Sequence, residues 1–454
     1  MSFLRCAFLL FIYQLIVIRS QENISDNVEY CYVTDEERPQ AKLFATITAY
    51  RIATKDLPHS NDEFVLPNCV ASKAIIWARH GLRLPSTKEQ KPLRRVEQLH
   101  KELIANINAL STNPLCSDDF EAIKEWTWNR TVTGDRGSDL SKEGFEELRH
   151  IALKYQQHIP NLFNRSYDPN EFHFGHTEKN RTRDSFRSFV DALFGEDAHQ
   201  HINTALPDGG PELLLKTYSY CPEWTDLKES VNMPDSEPKK FERSELFVNM
   251  VEDINLRFGF NGTLQVDDII NMYDICRNEQ AWNINVGSAW CSLFTTFQFV
   301  LLEYLEDVRM LYKSSQVFNI NRNIACHAVK DLLNRLESNE SPIVTAYFTH
   351  STRVQQVLAT LGAFKGEKLP QSDNFNEMHD RKWKTSVVSP SAANLAVIQY
   401  ECGTESNVKF FINEQTLHLD WCSADGVCKL SDMLNVFARF RNAECDTNFC
   451  HGEE

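Results

Sequence analysis

Two guanidinium groups flank one imidazole in the segment Arg79-His80-Gly81-Leu82-Arg83-Leu84-Pro85. Arginine is the planar, permanently charged, bidentate partner of phosphate oxygens. A neutral imidazole beside such a clamp can attack phosphorus or carry a proton. These residue types at these offsets therefore suit phosphoryl capture and transfer. Chance would place Arg, His, Gly, Arg and Pro in that pattern on the order of 10⁻⁴ times in a chain of this length. The segment is accordingly read as a site rather than as a solvated basic turn.

The elements that must position it follow from the hydropathy pattern. Ala74 to Ala78 is an apolar run that reads as a buried strand. It puts the motif at a strand's carboxyl end, where open α/β sheets bind ligands. Ser141 to Tyr155 has a helical period, with Phe145, Leu148, Ile151, Ala152 and Tyr155 on one face. Glu171 to Gly175 reads as a second strand, followed by a helix striped with Phe186, Phe189, Val190 and Leu193. Helical periods dominate from about 196 to 340, among them Phe241 to Arg257, Phe297 to Tyr312 and Ala325 to Leu336. Strand patterns return at Ile343 to Phe348, Leu395 to Tyr400 and Val408 to Ile412. His350 stands between one of these strands and a helix striped with Val354, Val357, Leu358 and Leu361, closed by Gly362.

The expected architecture is α/β: a mixed, mostly parallel sheet flanked by helices, with a helical insertion. The core would comprise 65–195 and 341–454, and the insertion 196–340. Between these parts lies the expected place for a ligand site. Residues 21–64 read as a polar lead-in, and 1–20 as a signal peptide, with Arg5 ahead of the apolar run Ala7 to Ile18 and a cut after Ser20.

Composition narrows the function classes. The 454 residues carry 47 basic and 63 acidic side chains, a formal net charge of −16. Losing 1–20 removes Arg5 and Arg19 and leaves 45 basic against 63 acidic residues. An acidic surface argues against nucleic acid or anionic membrane as the partner. It does not argue against a polyanionic small molecule, because a local basic pocket outweighs distant charge through screening. No stretch after the signal is long and apolar enough to span a bilayer. Of 13 cysteines, Cys6 leaves with the signal, and the remaining twelve suit an oxidising compartment. Cys422 with Cys428 and Cys445 with Cys450 are spaced as local loop staples, and the spacings offer no CxxC zinc pair. Glycosylation sequons begin at Asn23, Asn129, Asn164, Asn180, Asn261 and Asn339. The tail His451-Gly452-Glu453-Glu454 is no KDEL-type retrieval sequence, so secretion or residence in the endoplasmic reticulum lumen is expected. The sequence sets no oligomeric state.

The Arg79–Pro85 segment resembles the signature of the histidine acid phosphatase superfamily. Within it the chain is similar to the multiple inositol polyphosphate phosphatases, which are phytase-like, from about Cys69 to about Cys450. Supporting stretches are Leu140-Ser141-Lys142-Glu143-Gly144, Trp290-Cys291, Leu302-Glu303-Tyr304-Leu305 and Pro390-Ser391-Ala392-Ala393-Asn394-Leu395, whose order carries the resemblance. The resemblance implies a secreted phosphatase of inositol polyphosphates without metal or organic cofactor. His80 would be the nucleophile, forming a phosphohistidine. Arg79, Arg83 and Arg181 would hold the phosphoryl group, with His350 as second histidine. Lys216 and Lys384 fall where relatives also carry basic residues and would line the substrate pocket, and Lys88, Lys179, Arg381 and Lys382 lie in segments that could also face it. A disulfide between Cys291 and Cys326 is implied in the same way.

At one point the chain departs from the family. Relatives carry His-Ala-Glu or His-Asp where this sequence has His350-Ser351-Thr352. The carboxylic acid that protonates the departing alkoxide is absent, and such an acid is commonly worth 10²–10⁴ in rate. Ser351 and Thr352 read more naturally as helix caps than as acids. The replacement donors open to the chain are Thr352, Glu178 and a neighbouring substrate phosphate. The alternative is a catalytically weak or inactive protein that binds polyphosphates.

Overall fold

The computed structural model describes residues 30–57, 63–204 and 210–451, with side chains from 213 onward in the last segment. The expected signal peptide, the first part of the lead-in, the Asn23 sequon and the end of the tail lie outside the described residues.

A mixed sheet of seven strands organises the chain, in the order β2-β3-β1-β4-β5-β6 with β7 paired to β5. β1 is Val70–Arg79, β2 Phe172–His176, β3 Val344–Thr349, β4 Asn394–Cys402 and β5 Glu405–Ile412. The short β6 (Gln415–Thr416) and β7 (Val427–Lys429) have no clear sequence signal. β2, β3 and β1 run parallel, and β4 onwards pairs antiparallel. Side chains alternate across β1 as the pleat requires. Ala74, Ile76 and Ala78 enter one apolar cluster, Ile75 and Trp77 the other.

On the first face lie α2 (Lys142–His158) and α3 (Asn180–Phe194), the first preceded in the chain by α1 (Thr87–Leu93). On the second lie the helix Cys326–Glu337 and α6 (Ser351–Leu361). Between β2 and β3 the chain runs through helices that include α4 (Gly210–Lys216) and α5 (Thr296–Ser314). Most of these build a separate core with Phe241, Phe299 and Tyr304, which also takes in Leu93, Leu103 and Ile123 from the stretch after β1, whereas Leu214 and Leu215 of α4 join the cluster on the second face. Phe241 to Arg257, expected as one helix, forms two, Glu237–Glu242 and Glu245–Arg257. Ser244 interrupts them because its side chain caps the second, accepting from the Phe247 N–H.

The segment expected as a polar lead-in packs into the fold from residue 30. Tyr32, Phe44, Ala45 and Tyr50 are buried. It is built of short 3₁₀ turns, Pro39–Leu43 and Ala45–Ile47, whose period of three hides it from a search for α or β repeats.

All twelve cysteines after Cys6 are paired. Cys422–Cys428 is the local staple expected. Cys445 and Cys450 do not pair with each other: they reach Cys326 and Cys221. The implied Cys291–Cys326 bridge is also corrected, since Cys291 pairs with Cys276 on the helix Val266–Trp282. The physical reason is topology, because the C-terminal segment folds back over the helical region and sequence spacing does not record that return. Among the described residues no helix is long and apolar enough to cross a membrane. Asn129, Asn164, Asn180, Asn261 and Asn339 are exposed.

Candidate active site

Three parallel strands end side by side, and each delivers part of the site. Arg79 pairs with Thr349 across β1 and β3, so the residues that follow, His80 and His350, become neighbours. Their rings lie 5.5 Å apart, edge to face. β2 ends beside them, and the turn after it starts α3 with Arg181.

The turn at His80 depends on contact between glycines. Gly81 packs against Gly144 in the first turn of α2, and a Cβ on either residue would overlap backbone atoms of the other segment. Ser141 completes the junction. Its N–H and its hydroxyl both donate to the Leu82 carbonyl, at 2.8 and 3.0 Å, while its Oγ accepts from the Gly144 N–H. The Leu140–Gly144 stretch is therefore the seat of the Arg79–Pro85 turn. Gly144→Ala should lower both stability and activity, because backbone on both sides would have to move. Thermal melting together with phosphatase assay checks this.

Glu147, one helical turn further on, is fully buried and holds the same turn. It accepts from the N–H of Tyr50 (2.7 Å), the N–H of Leu82 (2.9 Å) and the hydroxyl of Ser391 (2.7 Å). Burial raises its pKa to about 7 against these hydrogen bonds. Glu147→Gln turns one acceptor into a donor facing donors. A loss of about 1–3 kcal/mol is expected, read as a lower melting midpoint. The sign of its pH effect follows from the raised value. The stability that the protonated group contributes is complete below the ordinary carboxyl range and lost as pH rises through about 7.

The tautomers of both histidines are fixed by their partners. His80 Nδ1 lies 2.8 Å from the Gly81 carbonyl, which can only accept, so Nδ1 carries the proton and Nε2 the lone pair. Arg181 Nη2 donates to His350 Nδ1 at 3.3 Å, so His350 Nε2–H donates to Thr177 Oγ1 at 3.1 Å. Thr177 in turn meets Thr182 of α3 at 2.8 Å. Burial, then the Arg181 charge, holds both imidazoles well below their ordinary pKa. Both imidazoles are thus biased towards the neutral form.

Arg79 donates to the carbonyls of Thr46 and Ser389, and burial with the neighbouring Arg83 charge lowers its pKa to about 9. Burial with Arg83 lowers Arg181 to about 10. Cations pressed together without enough carboxylate mark a place prepared for an anion. Arg83 differs from the expectation of an open clamp. Its Nη1 and Nη2 donate to the two oxygens of Glu89 at 2.8 and 2.9 Å.

The other expected residues divide. Lys216, at the end of α4, bears on His350 electrostatically. It is held there by Thr349, whose hydroxyl donates to the Leu215 carbonyl at 2.7 Å, and by Arg353, which donates to Thr217 Oγ1 at 2.7 Å. Lys384 bears on the buried Glu303 and is not among the main charges acting on the histidines. Arg381 is not a pocket residue: its guanidinium is buried against Asp307 (2.6 Å) and Glu303 (3.2 Å). Lys382 is exposed and pairs with Glu367 at 2.5 Å. Lys88, Lys179 and Glu178 are exposed. Glu178 is not among the main charges acting on the histidines or on Arg79 and Arg181. Thr352 is buried in the first turn of α6, but neither it nor Ser351 caps that helix, since His350 occupies the cap position and no side chain closes it.

Sequence reasoning missed Glu89, Glu147 and Lys313. Lys313, near the end of α5, is partly exposed and has its pKa lowered to about 8 by burial and by Lys228, with Arg79 also acting on it. Glu89 had a legible signal, since Ser86-x-x-Glu89 is a capping box and forms one at α1.

Neutral imidazoles and arginines gathered at the ends of parallel strands define a site for phosphoryl groups. The family model of the histidine phosphatase superfamily (branch 2) matches residues 72–413, and the chain belongs to that family. It is 37% identical over 434 residues to multiple inositol polyphosphate phosphatase 1 of Drosophila melanogaster, covering 93% of this chain and 90% of the relative. The human protein of the same name is 24% identical over 438 residues, covering 87% and 85%. Among solved structures, the phytase from D. castellii superposes with a TM-score of 0.69 at 18% identity, covering 92% of this chain and 88% of that one. The Bifidobacterium longum multiple inositol polyphosphate phosphatase in complex with inositol hexasulfate gives 0.63 at 14% identity, covering 89% and 99%.

Proposed function

We propose that the protein is a secreted phosphatase that removes phosphate from inositol polyphosphates through a phosphohistidine on His80. The observation that carries this reading is the meeting of His80, His350, Arg79, Arg83 and Arg181 at three adjacent strand ends. The likeness to inositol polyphosphate phosphatases over most of the chain supports the substrate class. Six disulfides and a signal-like N-terminus support passage through an oxidising compartment.

In the first step the His80 Nε2 lone pair attacks phosphorus in line with the ester oxygen. Arg79, Arg83 and Arg181 stabilise the charge spread over the equatorial oxygens, which is the main catalytic demand of phosphoryl transfer. His350, fixed between Arg181 and Thr177, offers a further ring at the same phosphoryl group. In the second step water attacks the phosphohistidine and releases phosphate. Lys216, Lys313 and Lys384 supply positive charge for the remaining phosphates. A protein that binds without turnover, the alternative the missing His-Ala-Glu acid raised, is not favoured by relatives named as phosphatases.

The test is to incubate purified protein with inositol hexakisphosphate and follow free phosphate between pH 4 and pH 8. Release is expected to persist below the ordinary imidazole range, since burial and the Arg181 charge lower the His80 pKa. Binding without release would leave the non-catalytic reading.

A further inference from the structure

We infer that Glu89 is the carboxylic acid that protonates the leaving alkoxide, in place of the residue relatives carry after the second histidine. This rests on the phosphatase reading above. Glu89 sits within the site: both its oxygens contact Arg83, a member of the phosphate clamp, at 2.8 and 2.9 Å. Its charge also bears on Arg79, Arg181 and Lys313, which belong to three other elements. Thr352, by contrast, offers only a hydroxyl, a far weaker acid than a carboxylic acid. The side chain of Glu89 is half exposed, at 50%, so a substrate oxygen can reach it.

The Glu89 carboxylate takes the two Arg83 N–H donors that a phosphoryl group would use. Burial raises its pKa, but the hydrogen bonds and charge of Arg83 outweigh burial and set it at about 2. A phosphoryl group that takes over the Arg83 N–H donors removes that stabilisation. It also brings a second negative charge alongside, and both changes favour the protonated acid. In the first step the bond from His80 Nε2 to phosphorus forms, the bond from phosphorus to the ester oxygen breaks, and the Glu89 proton passes to that oxygen. In the second step Glu89 takes a proton from the attacking water. The oxygen–phosphorus bond forms, the nitrogen–phosphorus bond breaks, and the acid is regenerated.

Glu89→Gln tests this, because glutamine keeps the capping box with Ser86 and hence the local fold. With inositol hexakisphosphate, whose leaving group needs a proton, kcat is expected to fall by roughly 10²–10⁴. With p-nitrophenyl phosphate, whose leaving group does not, the first-turnover burst of p-nitrophenolate is expected to fall far less. Equal losses on both substrates would reduce Glu89 to a structural support of Arg83 and overturn the inference. So would unchanged or faster turnover of both, which would make it a latch on the clamp. Wild-type protein inert to both substrates would instead overturn the phosphatase reading on which the inference rests.

Discussion

His80→Ala is expected to cut inositol polyphosphate turnover by roughly 10⁴–10⁶-fold, the range seen when members of a catalytic nucleophile system are removed. A covalent two-step path has no substitute for its nucleophile. The fold should survive. Among the described residues the ring's hydrogen bond is to the adjacent Gly81 carbonyl, while the backbone of residue 80 stays tied to Thr349 and Ala392. Arg79, Arg83 and Arg181 remain, so the variant should still bind inositol hexakisphosphate. Calorimetry beside a phosphate-release assay separates the two effects. Wild-type turnover in the variant would remove the covalent mechanism.

Ser351→Ala together with Thr352→Glu is expected to change little in one background and to restore activity in another. It installs the carboxylic acid of relatives in the first turn of α6, beside His350. With Glu89 intact the site already has its acid, so kcat should change little. In the Glu89→Gln background the same pair should recover much of the lost rate, up to about 10²–10⁴-fold. Steady-state rates of the four proteins on inositol hexakisphosphate check this. A large gain in the wild-type background would mean that the native chain lacks an effective acid.

How far the sequence could be read follows from what each feature needs. β1, β3 and β4 carry dense apolar runs, and each appeared where its pattern placed it, with ends shifted by a few residues. His80 and His350 were legible because a short signature and a strand-to-helix junction are local features. Their meeting was implied only by the family resemblance, because it depends on β1 and β3 pairing across more than 260 residues. Glu147 sits inside the apolar face of α2, where a lone polar residue looks like noise until its three donors arrive from Tyr50, Leu82 and Ser391. Arg381 went the other way. A basic residue in a basic run reads as solvated or substrate-facing, yet Glu303 and Asp307, buried on α5, hold it in the interior. The disulfides of Cys326, Cys445 and Cys450 follow the path of the C-terminal segment, which spacing does not encode.

The most direct test of the central claim is to find the phosphoryl group on the protein. Wild-type protein is mixed with inositol hexakisphosphate, quenched within a turnover in alkali, where phosphohistidine survives, and mapped by peptide mass spectrometry. The account predicts one phosphate on the peptide bearing His80, absent from His80→Ala and lost with time as free phosphate rises. Free phosphate released by the wild type with no phosphate ever found on His80 would contradict it.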